Sequence, residues 1–152
     1  MSYFERSVLI NCPIEKVFGF HSDTNNLTKI TPDFIKVSII KIDLPLRLQS
    51  EISLEVTQFQ FIRTRWNIRL TEFDPFKLIT DTQVKGPFKK WEHKHCFEKE
   101  NGNTLMTDKI NYELPFGLIG RAADKLFITK MIEKQFEFRH KLTKSILEDS
   151  SG

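Results

Sequence analysis

Residues 117–147 decide the fold, and they read GLIGRAADKLFITKMIEKQFEFRHKLTKSIL. The stretch holds no Pro, and its last Gly is Gly120, so nothing interrupts a helix after the first turn. Apolar residues recur at steps of three and four, the spacing of one helix face. Two rows form this stripe: Ile119, Ala123, Leu126 and Lys130, and Leu118, Ala122, Thr129, Ile132, Phe136, Thr143 and Ile146. At about 1.5 Å per residue the helix spans about 45 Å, so it needs a large surface to lie on.

The residues before this helix supply that surface, because they read as a run of β-strands. Alternating apolar residues predict a first strand at 3–11, and two short helices follow it, one from Pro13 to His21 and one through Leu27 and Ile30. Six more strands are predicted at 34–42, 51–59, 62–73, 77–85, 89–100 and 103–114. An antiparallel sheet with one uncovered face must bury it, and the long helix has the length to do so.

We therefore predict an α+β fold of the helix-grip type. A curved, seven-stranded antiparallel sheet wraps around the long C-terminal helix, with two short helices after the first strand. Residues 1–149 are expected to form one domain, and residues 150–152 a frayed tail. A curved sheet that grips a helix leaves a hollow between them, and such hollows commonly hold an apolar ligand.

Composition narrows the class of protein. The chain has 152 residues, 14 Phe, only 6 Gly and a net charge of +3, with its Lys and Arg scattered among acids, so we expect no nucleic-acid partner. No apolar run approaches the roughly 20 residues of a membrane span, so no integral membrane segment is expected. Cys12 and Cys96 lack the CxxC spacing, and the N-terminus lacks a secretory signal. The expected localisation is cytoplasmic.

The sharpest inference from the residues themselves concerns the strands at 77–114. Asn101-Gly102 is a strong signal for a two-residue type I′ turn. That turn places His95 opposite Asp108, and a turn at residues 86–88 places Asp81 opposite His93. Further pairs follow from the same two turns: Phe97 with Met106, His93 with Ile110, Trp91 with Tyr112, Gln83 with Trp91 and Ile79 with His95. Two Asp–His pairs, Asp81/His93 and Asp108/His95, are therefore predicted to point inward from an aromatic wall.

Four interpretations of these pairs stay open. They can be structural hydrogen bonds that satisfy buried carboxylates. They can orient the polar group of an otherwise apolar ligand, or act as an acid–base pair in catalysis. A metal site built from His93, His95 and a carboxylate is the least favoured of the four. His21 and His140 lie on predicted helices without an obvious partner.

Several strings resemble one known family. They are DTQ at 81–83, GPF at 86–88, WEHKH at 91–95 followed by Phe97, and YELPFG at 112–117 followed by Gly120, with Phe136 and Arg139 near the C-terminus. Together with the order of elements, they resemble the helix-grip superfamily of START, birch-pollen-allergen-like and polyketide-cyclase-like domains (SRPBCC), and within it a bacterial ligand-binding branch. The resemblance implies a hydrophobic cavity between sheet and long helix. It does not specify a ligand.

We predict a protein that binds a hydrophobic small molecule (a lipid, an isoprenoid or an aromatic polyketide-like compound) between the sheet and the C-terminal helix. A cyclase or dehydratase that uses an Asp–His pair in the same cavity is the alternative. No cofactor and no resident metal are expected. A third interpretation is a partner-binding or regulatory domain that uses its basic C-terminal helix. It predicts that Phe127, Met131 and Phe138 are exposed, whereas they otherwise pack on the short helices or on a second copy in a homodimer. The predicted ligand-binding residues are Trp66, Asp81, Gln83, Trp91, His93, His95, Phe97, Asp108 and Tyr112.

Overall fold

The computed structural model describes residues 1–150 and contains one seven-stranded antiparallel sheet with the strand order β1-β7-β6-β5-β4-β3-β2. Every strand pairs with its neighbour in an antiparallel ladder. The strands are β1 (Ser2–Ile10), β2 (Ile35–Ile42), β3 (Glu51–Gln58), β4 (Ile62–Asp74), β5 (Leu78–Lys85), β6 (Lys90–Glu100) and β7 (Asn103–Glu113). Bulges between Ile39 and Lys41 in β2, at Thr71 in β4 and at Val84 in β5 bend the strands on one side of the sheet.

The helices follow the predicted order. Helix α1 (Ile14–His21) and a 3₁₀ helix (Thr24–Ile30) come after β1. The C-terminal helix is continuous from α2 (Gly117–Ala123) through a π-helical turn (Asp124–Ile128) into α3 (Thr129–Asp149). In the part of the chain described, 1–150, no helix is long and apolar enough to cross a membrane. The predicted tail lies outside the described residues beyond Ser150.

The α+β helix-grip architecture is confirmed, and each strand ends within one residue of its predicted boundary. The register between β6 and β7 is also confirmed, with His95 opposite Asp108 and Trp91 opposite Tyr112. Asn101 and Gly102 have φ angles of 51° and 82°, as a type I′ turn requires. Asp81 faces His93 and Ile79 faces His95 as predicted.

The predicted pairing of Gln83 with Trp91 is not part of the sheet. The ladder between β5 and β6 ends at the pair Thr82 and Glu92. Beyond it, the Gln83 amide donates to the Phe88 carbonyl at 2.7 Å and accepts from the Phe88 amide at 3.3 Å. The side chain takes the place of a strand partner and closes the turn, because that turn is longer than the three residues predicted.

The apolar stripe of the C-terminal helix is confirmed only in its second part. Ile132, Phe136 and Thr143 are buried as predicted, whereas Ile146 is half-buried and its neighbour Leu147, outside the predicted rows, is buried. By contrast, Leu118, Ile119 and Leu126, which we expected to face the sheet, are exposed. The π turn is the physical reason, because its wider spacing shifts the rows and a single 3.6-residue pattern does not continue across it.

A polar contact holds the first part of this helix instead. Asp124 is buried and accepts hydrogen bonds from Tyr112 Oη at 2.6 Å and from Ser2 Oγ. Burial and the hydrogen bond to Asp124 raise the pKa of Tyr112 to about 12, so the phenol stays a donor. Gly120 fits close to the sheet end, since a Cβ there would lie 2.1 Å from the Pro115 carbonyl oxygen.

Candidate functional site

A cavity of about 170 Å³ lies between the sheet and α3, beside α1 and the 3₁₀ helix. This is the hollow that the helix-grip architecture predicts. Its lining is mainly apolar, and its polar side chains come from α1, the 3₁₀ helix and its N-cap, the end of β3, strands β5 and β6, and α3. The sheet contributes Ile52, Leu54, Val56, Trp66, Ile68, Ile79, Asp81, Trp91, His93 and His95, and α3 contributes Met131, Ile132, Gln135, Phe136 and Arg139.

An aromatic cluster forms one wall of the cavity. Trp66 and Trp91 meet edge to face with ring centroids 5.3 Å apart, and Phe88 lies 5.4 Å from Trp66 and 4.8 Å from Trp91. Trp66 and Trp91 point inward because alternate residues of β4 and β6 share one face of the sheet. Such a wall suits a flat or conjugated apolar ligand, which it can meet with ring edges and faces.

Asp108 organises His93 and His95 of the cavity lining from beneath. Its side chain is 1% exposed, and three imidazoles converge on its two oxygens. His93 Nε2 and His95 Nδ1 each lie 2.8 Å from Oδ1, and His140 Nε2 lies 2.5 Å from Oδ2. A buried carboxylate needs such partners, and here they come from β6 and from α3.

His95 lies between two carboxylates, since its Nε2 donates to Asp81 Oδ2 at 3.1 Å while Nδ1 faces Asp108. The Nδ1 contact is an ion pair whose angle does not suit a hydrogen bond. Burial alone would lower the pKa of His95, but Asp108 and Asp81 outweigh it and raise the pKa to about 9. At neutral pH His95 is therefore a buried imidazolium at the cavity wall.

The neighbouring groups shift in the opposite sense. Burial and the positive charge of His95 lower the pKa of His93 to about 4, and the same two causes lower the pKa of His21 to about 4. Neutral His93 therefore donates its Nε2 proton to Asp108. Burial alone would raise the pKa of Asp81 and of Asp108, but the histidine contacts lower both, that of Asp108 well below its usual value.

The hydrogen bonds differ from the two separate Asp–His pairs that the register predicted. His93 faces Asp81 across the strands but bonds to Asp108, and His95 reaches both carboxylates. Side chains that lean along the strand meet a diagonal neighbour, which the pairing of Cα positions does not reveal. The prediction that His140 has no partner is wrong, because α3 brings it onto Asp108.

Arg139 lines the cavity but is absent from the predicted ligand-binding residues. It is 9% exposed, and its guanidinium lies over the Phe136 ring at 4.7 Å. Its Nε has no hydrogen-bond partner within residues 1–150. The helical spacing could have predicted this position, because Arg139 is seven residues after Ile132 and therefore on the helix face that points to the sheet.

Five of the nine predicted ligand-binding residues line the cavity: Trp66, Asp81, Trp91, His93 and His95. Gln83, Phe97, Asp108 and Tyr112 lie outside its lining. Gln83 closes the β5–β6 turn and Tyr112 holds Asp124, as described above. Phe97 packs under α1 against Phe18, with ring centroids 5.4 Å apart. Asp108 acts on the cavity only through the histidines.

Asp81, His93 and His95 also have the donor types and spacing for a metal ion. One ligand atom from each lies within 4.8 Å of the others. His95 would have to lose the proton that its two carboxylates hold in place, and Asp81 would have to exchange that partner for the ion. The proton on His95 Nε2 therefore lies between His95 and Asp81, at the position that a metal ion would take.

Comparison with solved structures agrees on the fold. TTHA0849 from Thermus thermophilus has a TM-score of 0.79 at 17% identity, covering 99% of this chain and 100% of that one. A START superfamily protein from Mycobacterium smegmatis has a TM-score of 0.71 at 16% identity, covering 97% of each chain. The di-domain ARO/CYC StfQ from the steffimycin biosynthetic pathway has a TM-score of 0.78 at 10% identity, covering 99% of this chain and 51% of that one.

Comparison with curated protein sequences gave no match. The family model described as "Polyketide cyclase / dehydrase and lipid transport" matches residues 10–137, which is most of the chain. Its span contains the aromatic wall and Asp81, His93, His95 and Asp108, and it ends before Arg139 and His140. The chain therefore belongs to the polyketide cyclase / dehydrase and lipid transport family, within the helix-grip SRPBCC superfamily.

Proposed function

We propose that the chain binds a compact apolar molecule that carries a hydrogen-bond-accepting oxygen, and that the ligand occupies the cavity between the sheet and α3. One observation carries the proposal. The mainly apolar cavity contains a buried Arg139 whose Nε has no partner among the described residues. An unpaired buried donor is costly, and a ligand oxygen would satisfy it.

The size and charge of the cavity narrow the ligand class. A dry protein cavity of about 150 Å³ holds benzene, so a cavity of about 170 Å³ accepts a ring-sized group. At neutral pH the charges of Arg139 and His95 balance those of Asp81 and Asp108. A neutral acceptor such as a ketone carbonyl adds no further charge to this cluster, whereas a carboxylate would.

Matched ligands test this proposal. Acetophenone and α-methylstyrene have nearly the same shape, because a CH2 group replaces the oxygen, but only acetophenone has a carbonyl oxygen. We expect titration calorimetry to show tighter binding of acetophenone by roughly tenfold to a hundredfold, the range of a hydrogen bond to a charged group. The Arg139→Met variant should bind both compounds equally, while Lys134→Met on the exposed face of α3 should retain the preference.

Two results would count against the proposal. If neither compound binds, and native mass spectrometry of protein purified without denaturation shows no bound small molecule, the cavity is not a ligand site. If both compounds bind but Arg139→Met retains the preference for acetophenone, then Arg139 does not receive the oxygen.

One observation favours a second function, the cyclase or dehydratase. Asp81 and His95 both line the cavity, and His95 is an imidazolium with its pKa raised to about 9. It can donate a proton to a carbonyl oxygen of a bound polyketone, and Asp81 can hold the imidazole in place. This function predicts that a linear aliphatic triketone loses water to form a resorcinol, and that His95→Gln abolishes the turnover. Binding of the triketone without turnover would rule it out.

A further inference from the structure

Seven large apolar side chains stand in solvent at one end of the molecule, each between 61% and 81% exposed. We call them the apolar end: Phe59, Phe61, Phe116, Leu118, Ile119, Leu126 and Phe127. They come from the β3–β4 turn, from the junction between β7 and α2, and from the first part of the C-terminal helix. None of them lines the ligand cavity.

The sheet ladders bring these segments to the same end. The end of β3 pairs with the start of β4, and the start of β4 lies beside the end of β5, where Asn67 pairs with Lys85. The turn after β5 leads to the start of β6, where Lys90 pairs with Glu113 at the end of β7. The β3–β4 turn and the β7–α2 junction therefore project from one edge of the sheet.

Two of these residues have a backbone conformation that their turns require but that suits Phe poorly. Phe59 and Phe116 have φ angles of 52° and 70°, in the left-handed region that bulky residues avoid. The turn at Asn101-Gly102 meets the same need with residues that tolerate positive φ. Stability alone favours Asn or Gly at positions 59 and 116, so the two exposed rings point to a role outside the fold.

The apolar end is also strongly basic. Residues 58–66, 84–91 and 114–130 contain eight cations: Arg63, Arg65, Lys85, Lys89, Lys90, Arg121, Lys125 and Lys130. The acids at this end are Asp124, which is buried and bonded to Tyr112, and Glu113 at the end of β7, which pairs with Lys89 at 2.6 Å. At the opposite end, residues 11–16, 42–51, 73–78, 98–103 and 144–150 contain eight acids and five cations. The two ends of the molecule therefore differ in charge.

We propose that the apolar end docks on a membrane surface that carries anionic lipid headgroups. Protruding Phe, Leu and Ile side chains interleaved with Lys and Arg are the composition that such surfaces bind, and the charge separation orients this end toward them. The first part of the C-terminal helix meets the sheet through the row Gly120, Asp124 and Thr129, which leaves its apolar and basic side chains available.

A second copy of the chain fits this surface less well. A two-fold interface places the same patch on both partners, so the cations would face cations. A lipid surface supplies the opposite charge and needs no matching shape. Docking would also bring the ligand cavity close to the bilayer, because Gln58 and Phe88 of its lining adjoin the β3–β4 and β5–β6 turns.

Sedimentation with vesicles tests the proposal. We expect the full chain to bind vesicles of phosphatidylglycerol and phosphatidylcholine and to dissociate from them at high salt. It should not bind vesicles of phosphatidylcholine alone. Arg121→Glu with Lys125→Glu should weaken binding by at least about 30-fold, since each cation near the surface contributes about fivefold. Leu118→Ser with Ile119→Ser should weaken it by about tenfold or more.

The matched control replaces two exposed apolar residues outside the apolar end with Ser. Ile40 and Leu48 are 49% and 55% exposed, and Ile40→Ser with Leu48→Ser should leave vesicle binding unchanged. In a second measurement, brominated lipid should quench the added fluorescence of Phe116→Trp but not that of Leu48→Trp. Circular dichroism should show the same folded spectrum for every variant, because all the changed residues are exposed.

Three results would overturn the proposal. The first is no binding to the anionic vesicles, or equal binding to both kinds of vesicle. The second is an equal loss of binding in the control and in Leu118→Ser with Ile119→Ser. The third is concentration-dependent self-association that Leu118→Ser with Ile119→Ser removes, which would assign the apolar end to a contact between two copies of the chain.

Discussion

Asp108 determines the chemistry of the site although it does not line the cavity. It joins β6, β7 and α3 by accepting from His93 and His140 and by pairing with His95. Removing one member of a buried charge pair leaves the other unpaired and typically costs about 3–5 kcal/mol. Asp108 therefore both positions His95 at the cavity and holds the C-terminal helix against the sheet.

Stability should depend on pH through His95. Its pKa is about 9 in the fold and 6.5 unfolded, so its contribution is full below about pH 6.5 and is lost as the pH rises through 9. The gap corresponds to about 3 kcal/mol. His93 and His21 have pKa values of about 4, so they destabilise the fold as the pH falls below 6.5. The free energy of unfolding should be greatest near pH 6.5.

Urea unfolding at several pH values checks this prediction. The His95→Gln variant should lose most of the decline between pH 6.5 and 9. Lys90→Gln, at an exposed position of the same strand, should keep that decline. An unchanged alkaline decline in His95→Gln would mean that His95 does not carry a raised pKa in the fold.

At the scale of elements, the C-terminal helix has two parts that make different contacts. Its second part, α3, buries Ile132 and Phe136 on the sheet and supplies Arg139 and His140 to the site. Its first part contacts the end of the sheet through the row Gly120, Asp124 and Thr129, and its apolar and basic side chains are exposed. The π turn separates the two, and it also brings Asp124 onto Tyr112.

Gly120 and Gly19 give a matched test of the contact between the first part of the helix and the end of the sheet. Gly120→Ala should lower the free energy of unfolding by about 1–3 kcal/mol, because the new Cβ would meet the Pro115 carbonyl oxygen and overpack the contact. Gly19→Ala should raise it by about 0.5–1 kcal/mol, since nothing lies within 4 Å and Ala favours the helix. Urea unfolding of both variants measures the difference, and equal effects would contradict the close approach at Gly120.

At the scale of the whole molecule, the two proposals concern different parts of the fold. The sheet and α3 enclose the cavity, the Asp–His cluster and Arg139 provide its polar groups, and the apolar end projects away from both. The residues of the apolar end differ from those that line the cavity, so a variant in one of these two sets should leave the other property intact.

A cavity-filling variant tests this separation. Val56 lines the cavity, and Val56→Phe should weaken acetophenone binding by at least about tenfold while the free energy of unfolding stays equal or rises by about 0.5–2 kcal/mol. Vesicle binding should not change. Ile40→Phe, at an exposed position of β2, should alter neither property. Normal acetophenone binding by Val56→Phe would place the ligand outside this cavity.

Local patterns in the sequence determined the elements, their order and most of the register. Alternation marked each strand within a residue, and Asn101-Gly102 set the β6–β7 pairing that brought His95 opposite Asp108. These features depend on neighbours along the chain and on one tight turn, so they can be predicted without the fold. The inward direction of Trp66, Trp91 and the Asp–His cluster followed from the same alternation.

The tertiary structure alone decided which polar groups meet and which apolar groups stay uncovered. His140 reaches Asp108 across 32 residues of chain, and His93 bonds to its diagonal neighbour, since both contacts depend on how α3 and the side chains lean. Leu118, Ile119 and Leu126 have the spacing of a buried stripe, yet they stand in solvent. The π turn and the hydrogen bond between Asp124 and Tyr112 direct these three side chains away from the sheet. Both features form only once the helix lies on the sheet.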